Sequence, residues 1–296
     1  MTDFKNFRVL RLTDNLIGFY DGRGEGVDYA TDNWVDAGAL SLGICSYALV
    51  DEGEALVYDT HVSPAHGEII RRTLEKMHVT KITVVLSHWH LDHVAGNAAF
   101  DDCEIIAHRL TLNALENNKA AIEAGTLNGP PVIHPLVLPT KIYEDQLTLQ
   151  VGSLEVQLRH VAAHSRDGTV LYLPDEALLL AGDTLEDTVS WVAEPDTIPA
   201  QLEALDRMWG WEIDRVYPNH GDPVIIEGNG YRKTLIRAGQ QYLRTLQRAT
   251  REEDIAALPL KEFIAGPLQA GWVNYYEPYE RVHAENLKRV KKALAN

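Results

Sequence analysis

The sequence has little cysteine and no long apolar run. Its two cysteines, Cys45 and Cys103, are too few among 296 residues for a disulfide framework, so we expect two buried, reduced thiols. No run of about 18 or more apolar residues is present, which excludes a membrane-spanning helix. The first residues lack the basic-then-apolar pattern of a secretory signal. We therefore expect a cytoplasmic protein with no membrane partner.

Basic residues are scarce as well. The chain has 27 Lys and Arg against 43 Asp and Glu, which gives a formal net charge of −16 and a pI near 5.1. Because a nucleic-acid-binding surface needs clustered Lys and Arg to neutralise phosphates, no nucleic-acid partner is expected. Neither a Gly-x-Ser-x-Gly motif nor a P-loop occurs, so no serine nucleophile of that type is predicted.

Short apolar segments separated by turn signals predict a chain rich in strands. The predicted strands lie at residues 7–12, 16–20, 44–50, 55–58, 82–86, 170–173 and 177–181, with two more within 147–160 and the last at 213–217. Helical spacing predicts a helix capped by Ser63, another over Arg109–Glu123, one from Pro199 to Gly210, and helices from Tyr231 onward. The polar segment 22–36 is predicted to be a long surface loop.

The most informative segment is Ser87-His88-Trp89-His90-Leu91-Asp92-His93, which follows the predicted strand 82–86. Residues two apart in an extended chain point to the same side, so His88 and His90 can bind one cation together. Asp92 and His93 begin the next turn and face a second position beside it. Because imidazoles and carboxylates are ligands that Zn²⁺ takes, this spacing predicts a metal site.

Further metal-competent side chains follow other predicted strands. Asp59, Asp183 and His220 come at the ends of apolar strands. His164 follows the strand 156–161 after two alanines, and His160, four residues earlier, is a rival for its role. Ligand sites in α/β sheets gather at the carboxyl ends of strands. We therefore expect these side chains to meet the histidine motif at one edge of the fold.

Together these residues resemble the metallo-β-lactamase-fold hydrolase superfamily, with its H-x-H-x-D-H motif and further single-residue motifs in the same order. The resemblance covers roughly residues 5–225. It implies an αββα sandwich of two mixed β-sheets flanked by helices. The expected domain organisation is a core over residues 1–228 and a helical, aromatic-rich C-terminal extension over residues 229–296 that docks on it.

The resemblance also implies a role for each candidate residue. Asp183 would bridge two metals, and Asp59 would orient a ligand histidine and count, with Asp92, among the catalytic residues. About two zinc ions per chain are expected, although this ligand set does not separate Zn from Fe, Mn or Co. The remaining ligands would be His88, His90 and His164 in the first site, and Asp92, His93 and His220 in the second.

The reaction implied by the resemblance is attack of a metal-bridging hydroxide on a small ester, lactone or amide. A lactonase or esterase is the leading hypothesis, because the fold by itself does not select a substrate. One alternative is a mononuclear iron enzyme like the persulfide dioxygenases, which would leave the second site empty. Another is a glyoxalase II-like thioesterase, for which the tail shows no obvious basic patch. A catalytically silent binding protein would have lost ligands, and none is missing.

Aromatic residues in two regions have two interpretations. Tyr29 and Trp34 of the 22–36 loop, and Trp191, could border an apolar pocket for a small-molecule substrate. The aromatics of the tail could complete its roof, or instead dock the terminal helix on the core. They could also supply the surface of a homodimer. These tail residues are Trp272, Tyr275, Tyr276 and Tyr279.

Overall fold

The computed structural model describes residues 4–25, 27, 29 and 33–294. In them the chain forms two mixed β-sheets flanked by helices, which confirms the predicted αββα sandwich. The first sheet contains, in spatial order, β1 (Arg8–Arg11), β2 (Leu16–Asp21), β3 (Ile44–Asp51), β4 (Glu54–Tyr58), β5 (Lys81–Val85), β6 (Glu104–His108) and β7 (Lys141–Tyr143). The second contains β8 (Gln146–Val151), β9 (Leu154–His160), β10 (Thr169–Leu173), β11 (Leu178–Gly182), β12 (Arg215–Pro218) and β13 (Tyr231–Arg232).

Both sheets combine antiparallel hairpins with parallel pairs. Strands β1 to β4 are antiparallel, whereas β4 to β7 are parallel. In the second sheet β11 and β12 are parallel and the other neighbours are antiparallel. The hairpin between β3 and β4 turns at Glu52 and Gly53, whose φ angles of 47° and 80° suit the twist of a two-residue turn.

Helices connect the parallel strands and cover the sandwich, and every helix in the described part of the chain is too short or too polar to cross a bilayer. Ser63 accepts a hydrogen bond from the backbone of His66, and so caps the first helix as predicted. The helices are α1 (Pro64–Lys76), α2 (Leu91–Val94), α3 (Arg109–Glu123), α4 (Ile198–Trp209), α5 (Pro223–Glu227), α6 (Thr234–Ala249), α7 (Glu253–Ala256), α8 (Leu260–Phe263), α9 (Ala265–Gln269) and α10 (Tyr279–Leu294), with short helical turns at Trp34–Leu40, Asn97–Phe100 and Pro195–Thr197.

Two apolar layers hold these elements together. One lies between the sheets and continues into the C-terminal helices, so that Leu158 and Leu180 of the second sheet share a cluster with Tyr242 and Phe263. The other packs the outer face of the first sheet against α1 and α3. The tail therefore buries its apolar residues in the same core as the second sheet.

Some details differ from the expectations. Tyr231 is not helical but pairs with Val216 as part of the edge strand β13, so 213–217 is not the last strand. Cys45 is buried, whereas Cys103 is only half-buried because it lies on the turn before β6. The predicted 22–36 loop ends in the helical turn at Trp34–Leu40, which Asn33 caps; its residues 26, 28 and 30–32 lie outside the described residues.

Candidate metal centre

The segment after β5 places the histidines of the motif side by side. His90 is the extended residue that precedes α2, and this short helix carries Asp92 and His93. The Nε2 atom of His88 lies 2.8 Å from Nδ1 of His90, and the rings of His88 and His93 are 4.2 Å apart. The change from extended chain to helix therefore brings the motif residues to one point.

Asp183 lies at the centre of the histidines. It follows Gly182 at the end of β11, where φ is 56° and a Cβ would lie only 2.8 Å from the Tyr58 hydroxyl, so this position requires glycine. One oxygen of Asp183, Oδ2, faces imidazole nitrogens from four directions, whereas the buried Oδ1 has no hydrogen-bond partner among the described residues. The distances from Oδ2 to Nε2 are 3.6 Å for His88, 3.2 Å for His93, 3.7 Å for His164 and 3.6 Å for His220.

The ligand atoms divide into two groups around this carboxylate. Within each group, all ligand atoms lie within 4.8 Å of one another. The structure therefore brings the seven metal-ligand candidates of the sequence together in two groups. The first group is His88, His90, His164 and Asp183, and the second is Asp92, His93 and His220.

Hydrogen bonds on the outer side of three histidines fix their tautomers. Nδ1 of His93 donates to the buried carboxylate of Asp59 over 2.8 Å, and Nδ1 of His220 donates to the Gly43 carbonyl over 2.7 Å. Nδ1 of His88 lies 2.9 Å from the Ser87 hydroxyl. With a proton kept on Nδ1, each Nε2 is the nitrogen that would bind a cation, after loss of any proton it carries.

Asp59 is the anchor of this outer layer. Its side chain is fully buried and its carboxylate accepts hydrogen bonds from the Ser87 backbone and hydroxyl, both at 2.6 Å. It also accepts a hydrogen bond of 2.6 Å from the amide of Asn219, which precedes His220. One carboxylate thus ties together segments that follow β4, β5 and β12.

The pKa values of the chain without a cation reflect both burial and charge. Burial, helped by His164, lowers the pKa of His90 to about 3. Burial also acts on His220, but the carboxylates of Asp183 and Asp92 outweigh it and raise its pKa to about 9. For Asp92 the penalty of burial is likewise exceeded, chiefly by His93, so that its pKa falls to about 2. The pKa of His93 is raised well above its usual value by the same carboxylates, against the effect of burial.

This arrangement fits divalent cations. Five imidazoles and two carboxylates converge, and among the described residues no Lys or Arg forms an ion pair with Asp92 or Asp183. Buried carboxylates normally require such a partner or a metal ion. Imidazole nitrogen and carboxylate oxygen are the donors that borderline divalent metals prefer.

Two buried carboxylates near the ligand candidates could not be identified from the sequence. Glu186 is buried three residues after Asp183; its carboxylate lies 3.5 Å from Nδ1 of His164 and accepts a hydrogen bond of 3.2 Å from the Tyr279 hydroxyl. Asp167 is also buried, and it accepts a hydrogen bond of 2.9 Å from the backbone of Trp89. Only their position relative to the ligands after folding reveals them, because neither belongs to a spaced motif.

The other histidines stay outside the cluster. His160 stacks on His108 with ring centres 4.0 Å apart, and its Nε2 donates to the Arg166 carbonyl. The strand that carries it ends there, and the chain continues to His164 at the site. The structure thus places His164, and not its rival His160, beside the other ligand atoms.

A cavity of about 740 Å³ opens above the two groups. Trp34, Trp89 and Trp191 line its walls, whereas Tyr29, named with Trp34 as a candidate pocket residue, is not among the lining residues. The tail aromatics do not line it; Tyr279, for example, is fully buried in the core. Instead the tail contributes Arg281 and Arg289 of α10, basic groups that the sequence pattern had not indicated.

Comparisons with known proteins agree with this geometry. The family described as the Metallo-beta-lactamase superfamily matches residues 41–220. The chain is 24% identical over 225 residues to the linear primary-alkylsulfatase of a Pseudomonas species, a match that covers 60% of this chain and 39% of that protein. It is 23% identical over 244 residues to a Schizosaccharomyces pombe protein described as a probable hydroxyacylglutathione hydrolase. This match covers 82% of this chain and 80% of that protein.

Solved structures show the same fold. A metallo-beta-lactamase from Pontibacter korlensis superposes with a TM-score of 0.61 at 15% identity, over 81% of this chain and 99% of that one. The family match covers more than half of the chain and spans Asp59, the histidine motif, His164, Asp183 and His220. The chain belongs to the metallo-beta-lactamase superfamily of metal-dependent hydrolases.

Proposed function

We propose that this protein is a dinuclear zinc-dependent hydrolase of a small ester, lactone or amide. The observation that carries the proposal is the position of Asp183, whose Oδ2 lies within 3.7 Å of imidazole nitrogens from both ligand groups. A carboxylate in this position can bridge two cations. The remaining ligands would be His88, His90 and His164 for one cation, and Asp92, His93 and His220 for the other.

Two bound divalent cations would supply Lewis acidity and lower the pKa of a coordinated water. The residues of the chain do the rest. Asp59 keeps the proton of His93 on Nδ1 and so keeps its Nε2 lone pair available. Asp92 lines the cavity and its side chain is 19% exposed, so its carboxylate can take a proton from the attacking water.

The lining of the cavity supports an ester or lactone substrate with an apolar body. Tryptophan rings at positions 34, 89 and 191 present broad apolar surfaces beside the ligand groups. Asp183 lines the same cavity, so a substrate held against these rings would lie in the cavity that contains the ligand groups. A lactonase or esterase is the activity that this shape favours.

A glyoxalase II-like thioesterase is the second candidate. Two observations favour it: the similarity to the Schizosaccharomyces pombe protein over 82% of this chain, and Arg281 and Arg289 in the cavity wall. A mononuclear iron enzyme like the persulfide dioxygenases is disfavoured, because the second ligand group is complete.

Metal analysis with a substrate panel tests the proposal. We expect about two zinc ions per purified chain and turnover of a lactone or ester in preference to a thioester or phosphodiester. Asp183→Asn should lower turnover by more than about 100-fold, since even residues that only orient ligands cost about 10- to 100-fold. The matched control is Asp214→Asn, an exposed carboxylate paired with Arg232.

Other outcomes would decide between the candidates. Preferred turnover of the thioester would favour the glyoxalase II-like enzyme. A content of one iron ion per chain, with oxygen consumption on a persulfide, would contradict the hydrolase proposal and favour a persulfide dioxygenase. Full activity of Asp183→Asn would contradict the proposed bridging role of this residue.

A further inference from the structure

The C-terminal helix α10 forms one wall of the cavity. Arg281, Val282, Glu285 and Arg289 of this helix line it together with the ligand candidate His90. The two arginines are eight residues apart, about 12 Å along a helix. Two guanidinium groups therefore stand at separate places in the wall of the substrate cavity.

The carboxylates of the cavity that lie outside the metal centre have partners of their own. Glu194 lies 3.0 Å from the Nε atom of Arg166, and Glu285 lies 3.3 Å from Nζ of Lys288. Glu186 accepts hydrogen bonds from the Trp191 backbone and the Tyr279 hydroxyl. These acids are therefore engaged without the arginines of α10.

Arg289 is held in place by neutral groups. Its Nε donates to the Val192 carbonyl over 3.1 Å, and its Nη2 donates to the Ala193 carbonyl. Its guanidinium lies 4.9 Å from the centre of the Trp191 ring. These contacts identify Arg289 as a support for the Trp191 wall.

Arg281 has fewer contacts. Its Nη2 donates to the Ala37 carbonyl and lies 3.5 Å from the Ser41 hydroxyl. Among the residues that the structure describes, no carboxylate lies within ion-pair distance of this guanidinium, and its Nε and Nη1 make no hydrogen bond. Since a guanidinium has five N–H donors in a planar fork, Arg281 keeps donors for a ligand. The apolar ring of Trp34, three residues before Ala37, lines the cavity on the same side.

We infer that the substrate carries a carboxylate remote from the bond that is cleaved, and that Arg281 binds it. The planar fork of a guanidinium matches the two oxygens of a carboxylate. The apolar body between the two ends would pack against Trp34 while its carbonyl reaches the metal centre. The inference rests on the proposed hydrolase function and narrows its substrate class to carboxylate-bearing esters, thioesters or lactones.

Two series of 4-nitrophenyl esters test the inference on the zinc-loaded protein. Both series have unbranched acyl chains of increasing length, ending in a methyl group in one and in a carboxylate in the other. We expect the carboxylate series to have the higher kcat/KM at one chain length, through a lower KM, by at least about tenfold, as a charge-assisted hydrogen bond allows. The preference should weaken with added salt.

Variants assign the preference to one residue. Arg281→Gln should remove the preference for the carboxylate series. Arg281→Lys should retain part of this preference, because the positive charge remains while the planar guanidinium is lost. The matched control is Arg251→Gln, which changes an exposed arginine outside the cavity wall and should keep the preference for the carboxylate series. A wild-type protein without preference, or an Arg281→Gln variant that keeps it, overturns the inference.

A binding measurement separates this inference from the proposed function. If neither series is hydrolysed, the hydrolase proposal on esters fails, and calorimetric titration with hexanedioate and hexanoate then decides. Tighter binding of hexanedioate that is lost in Arg281→Gln supports the carboxylate site. Equal binding of the two acids by the wild-type protein overturns it.

Discussion

Two clusters of buried histidines differ in what their ring nitrogens face. In one, His61 and His66 stack with ring centres 4.3 Å apart. His66 is bonded through Nδ1 to the Ser63 hydroxyl at 2.7 Å and through Nε2 to the Asp21 carboxylate at 2.9 Å. The ring of Phe4 packs on it at 4.8 Å. Both nitrogens of His66 are therefore closed by the protein.

In the metal centre, the outer nitrogens are bound by groups outside the ligand set, whereas the inner nitrogens face other ligand candidates. His88, His93 and His220 use Nδ1 for these partners, and their Nε2 atoms face Asp183. Burial of imidazoles is common to both clusters and does not by itself make a metal site. What distinguishes the metal centre is the convergence of Nε2 atoms from four imidazoles on one carboxylate. Substitutions and changes of pH can test this distinction.

The largest effect is expected for Asp59→Asn. The amide would place N–H donors against the donors of Ser87, His93 and Asn219, so the outer partner of His93 would be lost. Zinc affinity, measured by competition with a chelator, should fall by about 10- to 100-fold. Asp101→Asn, an exposed acid on the turn before β6, is the control. An unchanged zinc affinity of Asp59→Asn would mean that the hydrogen bonds of Asp59 do not affect metal binding.

The second largest effect on zinc affinity is expected from a change of pH. The pKa of His220 is raised to about 9 in the metal-free chain, so this imidazole is protonated at neutral pH and must lose its proton to bind a cation. Zinc affinity should therefore rise with pH, by about tenfold per unit for each such proton, and this slope should flatten above about pH 9. Proton release on zinc addition, measured in two buffers of different ionisation enthalpy, checks the sign. Proton uptake, or a pH-independent affinity, would contradict it.

The smallest effect on metal affinity is expected for His66→Gln. The change removes the imidazole that is bonded to Ser63 and Asp21, and leaves the buried carboxylate of Asp21 with the Gly22 backbone as its remaining partner. The free energy of unfolding should fall by about 1–3 kcal/mol, measured by urea titration, while zinc affinity stays the same. His78→Gln, at an exposed position, should change neither quantity. A loss of zinc in His66→Gln would show that the two clusters are coupled.

Local patterns were sufficient for the parts of the fold that depend on neighbouring residues. The helix Arg109–Glu123 has the predicted bounds, and Ser63 caps α1 as expected. The strands before Asp59, His88 and Asp183 could be read from their apolar runs. The histidine motif could be found because its ligands lie within one turn of each other along the chain.

Contacts between distant segments could not be read in the same way. His160 and His164 both follow an apolar strand, and only the stacking of His160 on His108 separates them. Glu186 has no motif, because its role arises from its place beside His164 and Tyr279. The composition of the tail aromatics left two interpretations, a cavity wall or docking contacts, and the burial of Tyr279 in the core agrees with docking.

The sequence by itself determined many of the strands and the identity of the candidate ligands, and the family resemblance of these ligands implied the class of the fold. Apolar runs specify strands through local burial and pleat, and the spacing of His88, His90, Asp92 and His93 specifies a metal site within a single segment. The tertiary structure decided the rest: the convergence on Asp183, the outer partner of each histidine, and the face that α10 turns to the cavity. These features depend on how the two sheets and the last helix pack, and packing brings together residues whose separation along the chain carries no pattern.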